Sequence, residues 1–126
     1  MLIDDEEIDQ RHYRRILSRS GVVDEIHSFT MAPDALDFLR SATRKIDVIF
    51  LDINMPRMNG FEFLERASTE LGDEFTDVVI IMLTTSLDPK DREKAARYQV
   101  VRDFLNKPLS IDHVQQVAKL LAETRS

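Results

Sequence analysis

Five polar residues follow short apolar runs of this chain, and their side chains are of types that act in phosphoryl chemistry. Asp4 and Asp5 follow the first run, Asp52 ends a run rich in β-branched residues, Thr84 follows six consecutive apolar residues, and Lys107 precedes a proline. If each run is a strand of one parallel sheet, these residues lie at the same sheet edge, where ligands of such folds bind. The pattern therefore predicts three carboxylates, a hydroxyl and an ammonium group close together.

Three carboxylates at one point require positive charge between them. Two like charges about 4 Å apart repel by about 4 kcal/mol at an effective dielectric of about 20. Lys107 supplies one positive charge, and carboxylate oxygens with room for water suit Mg²⁺, with Mn²⁺ as an alternative. This set predicts phosphoryl transfer onto Asp52, with Lys107 and the metal neutralising the transferred oxygens and Thr84 donating a hydrogen bond to one of them. Taken alone, Asp52 could equally cap the turn before a helix.

The elements that must position these residues alternate between strand and helix. Apolar spacing and capping residues predict helices over residues 6–19, 33–39, 61–71, 88–98 and 110–121. Short apolar runs predict strands over residues 1–3, 25–29, 46–52, 78–83 and 103–106. Five strand-helix pairs favour an α/β fold, a single doubly wound (βα)5 domain over residues 1–126 with helices on both faces of a parallel sheet.

Composition narrows the classes of partner. A net charge of −6 and the lack of a basic cluster argue against nucleic acid as a direct ligand. The chain has no cysteine, which fits a reducing compartment. Its apolar runs are much shorter than a membrane span, and no signal-peptide pattern opens it. We therefore expect a cytoplasmic protein that acts neither on nucleic acid nor in a membrane.

The motifs at the predicted strand ends resemble those of a known family. The residues Asp4-Asp5, the run 51–60 (LDINMPRMNG), Leu83-Thr84 and Lys107-Pro108 are similar to the receiver domain of two-component response regulators, in the right order and over essentially the whole chain. The resemblance implies a flavodoxin-like fold with strand order 2-1-3-4-5. It further implies a stand-alone receiver like the chemotaxis regulator, a signalling switch that catalyses its own phosphorylation and dephosphorylation.

The resemblance also implies roles for the acidic residues. Asp52 matches the phosphoacceptor, which takes its phosphoryl group from the phosphohistidine of a histidine kinase or histidine phosphotransfer protein. Asp5 matches a direct ligand of Mg²⁺, Asp4 an outer ligand acting through water, and the backbone carbonyl of Asn54 a further ligand. The ionised Asp52 itself completes this set.

Four further roles come from the same resemblance. Thr84 matches the switch hydroxyl and Lys107 the family's lysine, joined to Pro108 by a cis peptide bond. Phe104 matches an aromatic switch position, although an aromatic residue in a short strand is as often plain core. Asn54 and Ser86 fall where the family tunes dephosphorylation. Phosphorylation would remodel a protein-binding surface on helix 4, strand 5 and helix 5 for an unknown downstream target, in a monomer or a weak phosphorylation-dependent dimer.

Two other functions compete with this interpretation. A phosphohydrolase of the haloacid dehalogenase type also uses a strand-end aspartate and Mg²⁺, but it needs a second aspartate two residues later as general acid, where this chain has Asn54. The second alternative is a binding scaffold that keeps the receiver fold and is never phosphorylated. Catalytic turnover of a phosphate ester would favour the first, and absence of Mg²⁺ binding would favour the second.

Overall fold

The computed structural model describes residues 1–41, 45–72, 75, 77–85 and 88–125. Ser86, a predicted tuning residue, lies outside this described part. No helix within it is both long and apolar enough to cross a membrane. The elements, in chain order, are β1 (Leu2–Ile3), α1 (Glu7–Ser20), β2 (Ser28–Phe29), α2 (Ala32–Ser41), β3 (Val48–Asp52), α3 (Gly60–Leu71), β4 (Val79–Thr84), α4 (Pro89–Ala95), β5 (Val101–Asn106) and α5 (Ile111–Arg125).

The five strands form one parallel sheet in the order β2-β1-β3-β4-β5, which confirms the predicted fold and strand order. The register aligns the ends of the central strands. Ile3 of β1 pairs with Leu51 of β3, and Asp52 pairs with Leu83 of β4. The residues that follow β1 and those that end β3 and β4 therefore reach the same edge of the sheet.

Each face of the sheet carries its own apolar core, because successive strand residues point to opposite faces. On β3, Ile49 and Leu51 belong to one core, whereas Phe50 belongs to the other. Helices α2 and α3 contribute to the first core, and α1 and α5 to the second. Because both faces of the sheet are covered, the sequences of β3 and β4 are nearly continuous apolar runs.

Several predicted boundaries were wrong, three of them as follows. The second strand contains only Ser28–Phe29, and the fifth begins at Val101 because β4 extends its pairing to that residue. The fourth helix ends at Ala95, so Ala96 and Tyr98 lie beyond it. An aromatic residue is present at this position because it makes a tertiary contact: the ring of Tyr98 stacks on Phe61 at a centroid distance of 6.5 Å.

The loop after β3 holds the strand end and the start of α3 close together. The amide of Gly60 donates to the carbonyl of Ile53 at 2.8 Å. Asn59 caps α3, its side chain accepting from the amide of Glu62 at 2.9 Å while the Glu62 side chain accepts from the amide of Asn59. The Cβ of any other residue at position 60 would lie 2.5 Å from the backbone carbonyl oxygen of Asp52. Only glycine allows this approach.

We expect Gly60→Ala to lower the free energy of unfolding by about 2 kcal/mol, because the strand end or the helix must shift to relieve that contact. Alanine would otherwise stabilise a helix. Gly21→Ala is the matched control, since position 21 has a φ of 74° but no atom within 4 Å of the new Cβ. Its cost is limited to the left-handed backbone conformation, about 1 kcal/mol. Urea unfolding of both variants measures the difference, and equal losses would contradict the contact.

Candidate functional site

The ends of three strands, β1, β3 and β5, bring the predicted acidic residues and the lysine together. One carboxylate oxygen from each of Asp4, Asp5 and Asp52 can be chosen so that all three lie within 4.8 Å of one another. Lys107, which follows β5, lies within 3.4 Å of Asp52. Asp4 and Asp52 are both buried, and Asp5 is half-buried. Residues about one hundred positions apart in sequence therefore share one pocket at the carboxyl edge of the sheet.

The ammonium group of Lys107 contacts three carboxylates. Its Nζ donates to Asp4 Oδ2 at 2.9 Å and to Asp9 Oδ2 at 2.8 Å, and it lies 3.4 Å from Asp52 Oδ1. The Lys107 side chain is only 11% exposed. Its backbone amide donates to the carbonyl of Thr84 at 2.9 Å, which fixes the residue against the end of β4. The bond from Lys107 to Pro108 is cis, as predicted.

Asp9 was missed by the sequence analysis. It lies in the first turn of α1 and is four residues before Tyr13, a buried residue of the same helix. Residues four apart share a helix face, so an acid in line with the buried face was the available signal. That signal did not identify the partner, because Lys107 is 98 residues away along the chain.

The two N-terminal acids are held differently. Asp4 Oδ1 accepts from the amide of Glu6 at 2.9 Å, and its Oδ2 accepts from Lys107. Both of its oxygens therefore have partners inside the protein. Within the described residues, the carboxylate of Asp5 has no hydrogen bond or ion pair. Asp5 is thus the more available of the two for an added cation, and the direct and outer roles of the two acids remain predictions.

The predicted hydroxyl and carbonyl contributors lie at the same edge. Thr84 is fully buried at the end of β4, one residue beyond the partner of Asp52 in the strand register. Asn54 is two residues after Asp52, in the loop to α3, and its side chain is exposed. The positions of both residues agree with their predicted roles, which remain predictions.

Phe104 is buried on β5, in register with Met82 of β4. The guanidinium of Arg92 on α4 lies over its ring, 4.9 Å from the centroid. This arrangement gives Phe104 both a core position and a contact with the helix that faces it. The aromatic residue therefore connects β5 to α4, the surface that the resemblance implicates in switching.

Burial and neighbouring charges perturb the ionisation of Asp52. Removal from water raises the pKa of its carboxyl, and the charge of Asp4 raises it further, while Lys107 lowers it. The net result raises the pKa from 3.8 to about 7. Asp52 is thus an acid whose ionised form depends on the cations around it.

Burial and neighbouring charges also shift the pKa values of Lys107 and Asp4. Burial lowers the pKa of the Lys107 ammonium, but hydrogen bonds to Asp9 and Asp4 and the charge of Asp52 outweigh it, so the pKa of Lys107 is raised. Burial raises the pKa of Asp4 against the hydrogen bonds from Glu6 and Lys107. Lys107 therefore stays protonated and supplies a fixed positive charge to the pocket.

The raised pKa of Asp52 makes stability depend on pH. A carboxyl with a raised pKa in the folded state stabilises the fold below 3.8, and that contribution is lost as pH rises through about 7. Asp52→Asn removes the group. We therefore expect the free energy of unfolding of the variant to exceed that of the wild type increasingly between about pH 4 and pH 8, by up to about 4 kcal/mol. Urea unfolding without divalent cations measures this, and a pH-independent difference would contradict it.

The three clustered carboxylates fit a divalent cation. Their oxygens are hard ligands, they lie within 4.8 Å of one another, and the single ammonium of Lys107 leaves the pocket net negative. Mg²⁺ favours such sites, in which a few carboxylates leave room for water and phosphate oxygens. The donor set therefore suits the predicted ion.

Gln10 and Tyr13 lie on the buried face of α1. The side-chain amide of Gln10 donates to the carbonyls of Asp4 at 3.1 Å and Phe29 at 2.9 Å, so it joins the ends of β1 and β2. The hydroxyl of Tyr13 is buried without a hydrogen-bond partner among the described residues, and burial raises its pKa. Gln10 therefore holds α1 against the ends of β1 and β2.

Comparisons of the sequence and of the structure with known proteins find the same family. A family model described as the response regulator receiver domain matches residues 1–119. The two-component response regulator ARR10 of Arabidopsis thaliana is 29% identical over 93% of this chain, and the sensor histidine kinase CheAY of Helicobacter pylori is 24% identical over 94% of it. A crystal structure of a two-component response regulator from Cytophaga hutchinsonii is 30% identical, with a TM-score of 0.89 over 97% of this chain and 94% of that one.

The curated relatives are longer proteins. This chain spans 20% of the Arabidopsis protein and 14% of the Helicobacter protein. It spans 94% of the Cytophaga chain. The likeness to the curated relatives therefore concerns one segment of each.

Proposed function

Because this chain belongs to the receiver domains of two-component response regulators, we propose that Asp52 accepts a phosphoryl group from a phosphohistidine. The observation that carries the proposal is the placement of the Asp52 carboxylate at the end of the central strand, 3.4 Å from Lys107 and beside Asp4 and Asp5. The proposed nucleophile, a positive charge and two further carboxylates thus lie in one pocket, which supports the proposal.

In the proposed step, a carboxylate oxygen of Asp52 attacks phosphorus and forms a P–O bond. The P–N bond to the donor imidazole breaks, and the imidazole nitrogen takes up a proton. Lys107 is positioned to neutralise charge on the transferred oxygens, and Thr84, at the neighbouring strand end, would donate a hydrogen bond to one of them. The product is an acyl phosphate on Asp52.

Asp5, Asp52 and the backbone carbonyl of Asn54 would hold Mg²⁺, with Asp4 acting through water. The same oxygens would accept Mn²⁺. When bound, the ion supplies charge neutralisation for the phosphoryl group. The protein's own contribution is to keep the carboxylates together against their mutual repulsion, which Lys107 partly offsets.

The partners follow from the same proposal. A histidine kinase or histidine phosphotransfer protein would supply the phosphoryl group, and one of the relatives is itself named a sensor histidine kinase. The output surface would be α4, β5 and α5, with Phe104 as the link. Its burial beneath Arg92 supports that assignment, because a change at the end of β5 would reach α4 through this contact. The downstream target and a cytoplasmic location remain predictions.

The experiment that tests the function is incubation with acetyl phosphate and Mg²⁺, followed by intact-protein mass measurement. A receiver gains one phosphoryl group that is lost in base, as expected of an acyl phosphate. Multiple turnover of a phosphate ester would favour the phosphohydrolase. Failure to label with acetyl phosphate or any histidine kinase would favour the scaffold.

Mg²⁺ should raise the melting temperature of the unphosphorylated protein. An ion that binds only the folded state stabilises it by mass action, by about 2.7 kcal/mol at one hundred times its dissociation constant. For a domain of this size that corresponds to a rise of about ten degrees. Thermal unfolding with and without Mg²⁺, at constant ionic strength set with NaCl, measures the effect. An Asp5→Asn variant should respond weakly, and equal responses would contradict the metal assignment.

A further inference from the structure

The ammonium group of Lys107 has three N–H donors and three acidic neighbours. Asp9 is the nearest at 2.8 Å, Asp4 follows at 2.9 Å, and Asp52 is the farthest at 3.4 Å. Charge-assisted hydrogen bonds of this type are normally about 2.7–2.9 Å long. The lysine is therefore bound to Asp4 and Asp9, and its contact with Asp52 is only a long one.

The two bound carboxylates are not equivalent. Asp4 is 2% exposed and also accepts a backbone hydrogen bond from Glu6. The Asp9 side chain is 34% exposed, and Lys107 is the one partner it has among the described residues. Asp4 is thus a fixed part of the pocket, whereas Asp9 can be removed without leaving another buried group unpaired.

We infer that Asp9 is a positioning residue that restrains Lys107 and thereby slows phosphorylation of Asp52. This inference rests on the proposed function. Asp9 draws the ammonium toward α1 and takes up part of its charge, so less of that charge is available to the oxygens of an incoming phosphoryl group. Its own negative charge also opposes an anionic donor. Both effects act in the same direction.

The test compares rates of phosphorylation by acetyl phosphate at saturating Mg²⁺. We expect Asp9→Asn to raise the rate constant about twofold to fivefold, the upper part of the range given by a partly exposed ion pair. Glu7→Gln is the matched control, since Glu7 is an exposed acid of the same helical turn whose removal changes the net charge equally without touching Lys107. It should change the rate less than about twofold. Asp9→Glu keeps a carboxylate, so it should be phosphorylated about as slowly as the wild type.

A second measurement reports the restraint without phosphorylation. The ¹H–¹⁵N signal of the Lys107 ammonium, assigned by its loss in Lys107→Met, should shift and exchange faster with water in Asp9→Asn. It should be unchanged in Glu7→Gln. Thermal unfolding checks that each variant is folded.

The outcomes separate the two proposals. If the wild type takes up no phosphoryl group from any donor, the proposed function fails, whatever the lysine signal shows. If the wild type is labelled and Asp9→Asn is no faster than Glu7→Gln, the restraint fails alone. A slower Asp9→Asn would overturn it as well, because Asp9 would then orient Lys107 for the reaction. An unchanged lysine signal in Asp9→Asn would also overturn it.

Discussion

Asp52→Asn is expected to abolish phosphorylation by acetyl phosphate in the presence of Mg²⁺. An amide is a far weaker nucleophile than a carboxylate and cannot form the same acyl phosphate. The substitution keeps the shape of the side chain and, by the pH argument above, stabilises the fold at neutral pH. Loss of labelling would therefore reflect the missing carboxylate and not unfolding. We expect at least a hundredfold lower rate of labelling, on the scale of removing a covalent nucleophile.

The measurement is incorporation of the phosphoryl group followed by intact mass and peptide mapping. Asp47→Asn is a suitable control, because Asp47 is an exposed acid just before β3, at the opposite end of that strand from Asp52. It should be labelled like the wild type. Equal labelling of Asp52→Asn would show that another residue is the acceptor, and mapping would identify it.

Lys107→Met should reduce both stability and phosphorylation. It leaves Asp4 and Asp52 buried without the cation that contacts both, and removing one partner of a buried ion pair costs about 3–5 kcal/mol. The remaining carboxyls then have raised pKa values, so they stabilise the fold only at low pH and lose that contribution as pH rises. The deficit relative to the wild type should therefore be small near about pH 4 and largest above about pH 7.

Urea unfolding at acidic and alkaline pH measures this difference. Lys119→Met is the control, since Lys119 is an exposed lysine of α5, and it should change stability by less than about 0.5 kcal/mol. The rate of labelling of Lys107→Met should fall by about a hundredfold or more, as when one electrostatic donor is lost from an active site. A stability deficit independent of pH would contradict the electrostatic role of Lys107.

The fold was largely predictable because the signals are local and strong. Six consecutive apolar residues ending at Leu83 identified a strand buried on both faces, and Asp88-Pro89 identified the start of α4, where the Asp88 side chain accepts from the amide of Lys90. The wrong predictions concerned the ends of helices and strands, where the sequence signals are weak. Tyr98 continues the helical spacing of the sequence but lies beyond α4. Its ring packs against Phe61, a contact that the spacing could not distinguish from a helical one.

The sequence alone predicted the strand-end residues of the pocket, namely Asp4, Asp5, Asp52, Thr84 and Lys107, but not Asp9 of α1. Each of the predicted residues follows or ends a strand, and parallel strands present their carboxyl ends at one edge whatever the details of packing. It also led to the prediction that Asp52 is the acceptor, from its place at the end of the central apolar run.

Only the tertiary structure decided how the lysine divides its contacts. The distances from Lys107 to Asp9, Asp4 and Asp52 depend on how closely α1 packs against the ends of β1 and β5. The raised pKa of Asp52 depends on burial, and the contact of Phe104 with Arg92 depends on the placement of α4. Such quantities come from residues far apart in the chain, and electrostatic energy changes steeply over the few tenths of an ångström that packing controls. Residue type and spacing indicate which strand-end residues belong to the site, but packing determines the distances and the electrostatic energies between them.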